Sequence, residues 1–73
     1  MKYIVSKNAQ TGTGNHKIHT IDCAKRPKTE NVIDLKECLC PIEAKNRAKE
    51  YYKNVNGCKY CCRQIYYKIE IKL

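Results

Sequence analysis

The stretch that decides the fold is "NGCKYCC", residues 56–62. Three thiols within five positions of a 73-residue chain serve either chemistry or the cross-linking of the fold. A chain of this length forms one domain, 1–73, with a thin hydrophobic core, and such domains commonly depend on disulfides, a metal or a partner. Its aromatic surface comes from six Tyr, with no Trp and no Phe. We therefore expect its six cysteines to supply the missing cross-link.

The compartment decides between disulfides and a metal. The N-terminal segment "MKYIVSKNAQ" has only three consecutive apolar residues and lacks the apolar core of a secretion signal. No apolar run approaches the ~18 residues of a membrane span. The sequence therefore predicts a cytoplasmic protein without membrane contact. Closely spaced cysteines in that reducing compartment more often bind metal or take part in redox chemistry than form disulfides.

The charge of the chain is strongly positive. Fifteen Lys and Arg against seven Asp and Glu give a formal net charge of +8. Such an excess favours a polyanionic partner, which is nucleic acid, an acidic protein surface or anionic lipid. A genome that favours Lys, Ile and Asn codons produces the same charge without any partner. The charge therefore supports an anionic partner without naming one.

The chain reads as alternating strands and turns around one helix. Residues 2–8 and 16–21 are rich in β-branched and aromatic side chains and predict a hairpin across the turn-forming "QTGTGN" at 10–15. A short strand is predicted at 32–35 and a helix over 41–55, beginning at Pro41. Residues 64–73 alternate apolar and polar side chains and predict a fourth strand. The predicted fold is α+β, with a three- to four-stranded antiparallel sheet and one main helix.

A metal site is indicated by Cys58 and Cys61, whose two-residue spacing lets two thiolates converge on one ion from a tight turn. Zinc takes four ligands at tetrahedral directions, usually as two short-spaced pairs from distant parts of the chain. The second pair lies upstream. Two pairs are available there: His19 with Cys23, and Cys38 with Cys40.

The first pair is favoured. His19 ends a predicted strand and Cys23 follows it, where a turn brings both side chains inward. On an extended strand, Cys38 and Cys40 would point to one face, so this pair stays an alternative. A cysteine beside a helix start also serves as a small buried apolar residue. Cys62 cannot easily share an ion with its neighbour and is predicted to lie in the core or to be a free thiol.

Four segments resemble the zinc-binding domain of the Ada DNA-repair protein. They are "HTIDC" at 19–23, "ENV" at 30–32, "IEA" at 42–44 and "GCKYC" at 57–61, in the order and spacing of that family. The chain is most similar to the small bacterial relatives in which His replaces the first Cys. The resemblance implies a zinc-stabilised antiparallel sheet flanked by helices. It also implies one structural zinc held by His19, Cys23, Cys58 and Cys61.

One difference limits what the resemblance implies about activity. In the Ada domain the first ligand is a cysteine that accepts a methyl group from DNA phosphate, and here that position is His19. An imidazole does not replace this thiolate nucleophile. A site with four protein ligands also leaves no position for a catalytic water. The sequence shows neither a spaced carboxylate pair nor a Gly-rich phosphate loop, so we predict that the chain is not an enzyme.

The predicted partner is nucleic acid, or an acidic or nucleic-acid-binding protein. Basic residues lie close in sequence to the predicted ligands, and Tyr60 is available to stack on a base. These basic residues are Lys25, Arg26, Lys28, Lys59 and Arg63. The alternative is a phage or mobile-element accessory protein that binds and inhibits or adapts a larger host protein. Such a protein could pair through the predicted strand 64–73.

Overall fold

In the computed structural model, which describes residues 1–67, four strands form one sheet and a single helix packs against it. This arrangement confirms the α+β class. Within this part of the chain, none of the helical segments has the length and apolar character of a membrane span. The strands lie in the order β3-β1-β2-β4. The elements are β1 (Lys2–Ser6), β2 (His16–Thr20), a 3₁₀ turn (Thr29–Asn31), β3 (Val32–Glu37), α1 (Pro41–Ala48) and β4 (Val55–Gly57).

The predicted hairpin forms the centre of the sheet. β1 and β2 pair antiparallel, with Val5 opposite Ile18 and Ile4 opposite His19. Val5 and Ile18 are fully buried and share the core with Ala44 and other residues of α1. Because successive side chains of a strand point to opposite faces, Ile4 and His19 leave the sheet on the face away from this core. The hairpin therefore presents His19 on the face that the helix does not cover.

The sheet is mixed, which corrects the prediction of a purely antiparallel sheet. β1 pairs antiparallel with both β2 and β3, but β4 pairs parallel with β2. The helix explains this direction. β3 and β4 lie at opposite edges of the sheet, and residues 38–54 carry the chain between them through α1. A crossover of this length returns the chain in its original direction, so β4 runs in the direction of β3. β2 also runs in that direction, because β2 and β3 are both antiparallel to β1, and β4 is therefore parallel to β2.

The helix is shorter than the predicted 41–55 because tertiary contacts override its apolar pattern. After Ala48 the chain turns, and the N–H groups of Tyr51 and Tyr52 both donate to the Ala48 carbonyl at 3.0 Å. The Tyr52 ring then stacks on His16, with ring centroids 3.6 Å apart and planes within 5°. Val55 lies opposite His16 in β4. The residues predicted as the last helical turn therefore lead into the edge strand instead.

The predicted strand 64–73 does not form over residues 64–67, and residues 68–73 lie outside the described residues. Residues 63–65 form a turn, and the N–H of Ile65 donates to the Cys62 carbonyl at 3.1 Å. Ile65 enters the core. The side-chain amide of Asn56 then binds the backbone N–H and C=O of Tyr67, at 3.1 and 2.9 Å. Alternation alone predicted a strand where core packing selects a turn.

Packing at Gly57 yields a test of this arrangement. A methyl group there would lie 2.5 Å from Cγ1 of Ile65 and 2.7 Å from the Cys62 carbonyl oxygen. We expect Gly57→Ala to lower the free energy of unfolding by about 1–3 kcal/mol, the usual cost of overpacking a core. Urea unfolding followed by circular dichroism measures the change.

A second glycine provides the matched control. Gly14 has a φ of +72° and nothing within 4 Å of the position of an added Cβ. Asn tolerates this left-handed backbone, so Gly14→Asn should cost much less than Gly57→Ala. Equal stability of the two variants would contradict the close packing of Ile65 on Gly57.

Candidate metal centre

The parallel pairing of β2 and β4 brings two of the predicted ligands side by side. Ile18 lies opposite Gly57, and the N–H of Cys58 donates to the Ile18 carbonyl at 2.8 Å. His19 follows Ile18 just as Cys58 follows Gly57. Because parallel strands run in the same direction, these two successors lie at the same end of the ladder. The first ligand of each predicted pair is therefore positioned by the backbone.

Two tight turns bring in the second ligand of each pair. After β2, the N–H of Cys23 donates to the Thr20 carbonyl at 3.2 Å. After β4, the N–H of Cys62 donates to the Cys58 carbonyl at 2.9 Å and closes the turn that contains Cys61. Both turns fold back towards the end of the ladder. The two-residue spacing of Cys58 and Cys61 thus has the local geometry that the sequence predicted.

The four side chains converge on one point. One ligand atom each from His19, Cys23, Cys58 and Cys61 lie within 4.8 Å of one another. Nδ1 of His19 is 3.9 Å from Sγ of Cys61. His19 and Cys58 are buried, and the other two cysteines are partly exposed. The residues predicted as ligands therefore lie close enough to hold one metal ion.

Backbone N–H groups point at the sulfur atoms of the cluster. Each of the three cysteine sulfurs accepts one such hydrogen bond, and N–H donors stabilise a sulfur that carries negative charge. They also fix the directions of the side chains. The bonds run from Thr20 to Cys61 (3.3 Å), from Tyr60 to Cys58 (3.4 Å) and from Lys25 to Cys23 (3.4 Å).

The pKa values of the clustered side chains shift in different directions. Burial, helped by the charge of Lys17, lowers the pKa of the His19 imidazole, so the ring is neutral at pH 7. Burial acts to raise the pKa of Cys58, but N–H donors such as that of Tyr60 bring it below its ordinary value. Burial raises the pKa of Cys61 well above its ordinary value. A thiolate at Cys61 therefore needs a nearby cation, and a metal ion in the centre would provide one.

The alternative cysteine pair lies elsewhere. Cys38 is buried in the core, where its thiol lies 3.7 Å from the Leu35 carbonyl oxygen. Neither Cys38 nor Cys40 belongs to the His/Cys cluster found among residues 1–67. Cys62 is fully buried and packs in the core, as one of its two predicted roles requires. All six cysteines are free of disulfide bonds.

The five predicted basic residues differ in their contacts. The Arg26 guanidinium donates to the carbonyl oxygens of Ile21 (2.7 Å) and Pro27 (3.2 Å), so it holds the loop after Cys23. Lys28 is exposed beside the 3₁₀ turn. The other three, which are Lys25, Lys59 and Arg63, line two neighbouring depressions beside the His/Cys cluster.

Sequence reasoning missed Lys17 and Tyr66, which complete this surface. We define the basic cleft as the two depressions, of about 330 and 480 Å³, that share Lys59, Tyr60 and Tyr66. Lys17 lines the first of them together with the ligands His19 and Cys58. The two-residue period of a strand could have identified Lys17, since Lys17 and His19 are two positions apart on β2 and face the same side. Among the described residues that line the cleft, none is acidic.

Comparison of the chain with protein-family models, with curated proteins and with solved structures finds no match. The resemblance to the Ada domain therefore rests on the quoted sequence segments alone.

The ligand set can be tested by substitution. We expect Cys23→Ser and Cys58→Ser to reduce the metal content of the purified protein from about one equivalent to near zero, because a serine hydroxyl is a poor ligand for a soft metal site. Cys40→Ser is the matched control, since Cys40 is also partly exposed but lies outside the cluster. Elemental analysis measures the metal. Metal loss in Cys40→Ser, together with metal retention in His19→Ala, would contradict the assignment.

Proposed function

We propose that this chain is a small zinc-binding module whose basic cleft binds nucleic acid. The metal would hold the fold together, and the cationic groups beside it would contact phosphates. The proposal rests chiefly on the position of the basic cleft, which is lined both by cationic residues and by two members of the candidate metal centre. The resemblance to the Ada domain, which implies a zinc-stabilised fold, also supports this proposal.

Zinc suits the donor set of the cluster. One imidazole and three thiolates form a common structural zinc site, and Zn–S bonds of about 2.3 Å place tetrahedral sulfurs about 3.8 Å apart. The ligand atoms lie within 4.8 Å of one another, so side-chain rotations that move these atoms by about 1 Å would bring them to tetrahedral positions around one ion. Zinc–thiolate sites require reduced cysteines, which agrees with a cytoplasmic location.

The proposed zinc is structural rather than catalytic. Four protein ligands fill the tetrahedral shell and leave no open position for a reacting water. At His19, the position of the Ada methyl acceptor, a buried neutral imidazole would coordinate the metal instead of accepting an alkyl group. We therefore propose a binding role without alkyl transfer.

The charge of the basic cleft supports nucleic acid as the partner. Four cationic side chains line it, and a charged surface of one sign attracts a phosphate backbone. Lys25 and Cys58 line the same depression, so metal binding would fix the cationic groups relative to each other. The cationic residues are Lys17, Lys25, Lys59 and Arg63.

The proposal predicts salt-dependent binding. A labelled DNA or RNA should bind with micromolar or weaker affinity at low salt, because electrostatic contacts dominate sequence-tolerant binding. Each phosphate contact contributes about 0.7–0.9 to the slope of log affinity against log salt. Lys25→Glu and Lys59→Glu should weaken binding and each reduce that slope by about one unit. Fluorescence anisotropy over a salt series measures both quantities.

Lys36→Glu is the matched control for this experiment. It makes the same charge change in a different depression, which also contains Asp34 and Glu50. We expect its binding and metal content to equal those of the unmodified protein. Absence of binding to both DNA and RNA at low salt would contradict the proposal and favour the accessory protein that acts on a host protein.

A further inference from the structure

Two tyrosine rings border the basic cleft; one lysine ammonium group lies over Tyr66 and two lie over Tyr60. Nζ of Lys17 lies 5.2 Å from the centroid of Tyr66. Those of Lys25 and Lys59 lie 5.6 and 5.9 Å from the centroid of Tyr60. From this arrangement we infer that the cleft is a single-strand site, in which unpaired bases stack on Tyr60 and Tyr66 while the lysines bind the flanking phosphates. This inference rests on the proposed nucleic-acid function and specifies its substrate.

The two rings differ in how they are held. Tyr60 is 66% exposed and lies between the ligands Cys58 and Cys61, so metal binding would fix its backbone. Tyr66 is partly buried at the end of the 63–65 turn, and its N–H donates to the Arg63 carbonyl at 3.3 Å. Both rings are therefore placed by short hydrogen-bonded turns. A pre-positioned ring loses little conformational freedom when a base stacks on it.

The lysines over the rings would not block this stacking. A cation–π contact at an exposed site is weaker than the stacking of a nucleobase on an aromatic ring. A base can therefore displace an ammonium group from the ring face. Lys25 and Lys59 are long and flexible, and each displaced ammonium group remains within reach of the phosphate next to the stacked base. The same side chains thus cover the rings in the free protein and contact the backbone in the complex.

The form of the cleft favours single strands over duplex. In a duplex the base faces are already stacked on one another, and only base edges and phosphates are available to a protein. Single strands offer free base faces, and aromatic rings within a cationic groove are the usual means of binding them. The two depressions, about 330 and 480 Å³, fall in the range of small-molecule sites, roughly 300–1,000 Å³. Each depression can therefore accommodate an unpaired base.

The test compares a labelled oligothymidylate of about 12 nucleotides, within the ~4–16 that single-strand sites cover, with a blunt duplex of equal phosphate number. Fluorescence anisotropy at one low salt concentration should show tighter binding of the single strand. Tyr60→Leu should weaken single-strand binding about 5-fold or more and weaken duplex binding much less, because only the single strand stacks a base on this ring. Tyr60→Phe keeps the ring and should retain the affinity. Both variants lack the hydroxyl, so their difference reports the ring alone.

Tyr51→Leu is the matched control. Tyr51 is 54% exposed, close to the exposure of Tyr60, but it lines a different depression that also contains Asp34, Glu37 and Glu50. Its binding should equal that of the unmodified protein, and metal content confirms that each variant is folded. Equal affinity for single strand and duplex, unchanged by Tyr60→Leu, would overturn the single-strand inference and leave electrostatic nucleic-acid binding standing. Absence of binding to either form would overturn both.

Discussion

In the proposed account, the rest of the structure depends on the convergence of four side chains at one end of the β2–β4 ladder. β4 has three residues and lies at an edge of the sheet, so its backbone pairing alone is a weak attachment. His19 and Cys58 directly follow the last paired positions of that ladder. A metal ion bound there would clamp the two strands together. It would also fix both turns that follow them, and hence the placement of the basic residues.

The small core explains why such a clamp matters. Among residues 1–67, the largest fully buried side chains are Ile18, Leu35 and Val5, together with two cysteines. In a domain of this size, a core of this extent supports only a small free energy of unfolding. Structural zinc contributes roughly 10–16 kcal/mol in small peptides, which is comparable with the whole stability of a typical domain, about 5–15 kcal/mol. In the proposed account the metal therefore links folding to function, because the same ligands hold the sheet and line the basic cleft.

Local patterns predicted much of the molecule, and long-range contacts decided the rest. Residue type and spacing predicted the hairpin, β3 and the start of the helix. They also favoured the convergence of His19, Cys23, Cys58 and Cys61. The end of the helix did not, because Val55 pairs with His16 in a strand that no local signal marks. Alternation also favoured a strand after Cys62, where Ile65 instead turns into the core against Gly57. Lys17 could have been found from its two-residue offset to His19, whereas the inward turn of Arg26 depends on backbone carbonyls that only the folded loop presents.

X-ray absorption spectroscopy at the zinc edge, on protein purified without chelator, tests the central claim most directly. The account predicts one zinc per chain, coordinated by three sulfur atoms at about 2.3 Å and one nitrogen at about 2.0–2.1 Å. Four sulfur ligands would contradict the role of His19 and point to at least one cysteine ligand from outside the cluster. A folded protein without bound metal would contradict the account as a whole.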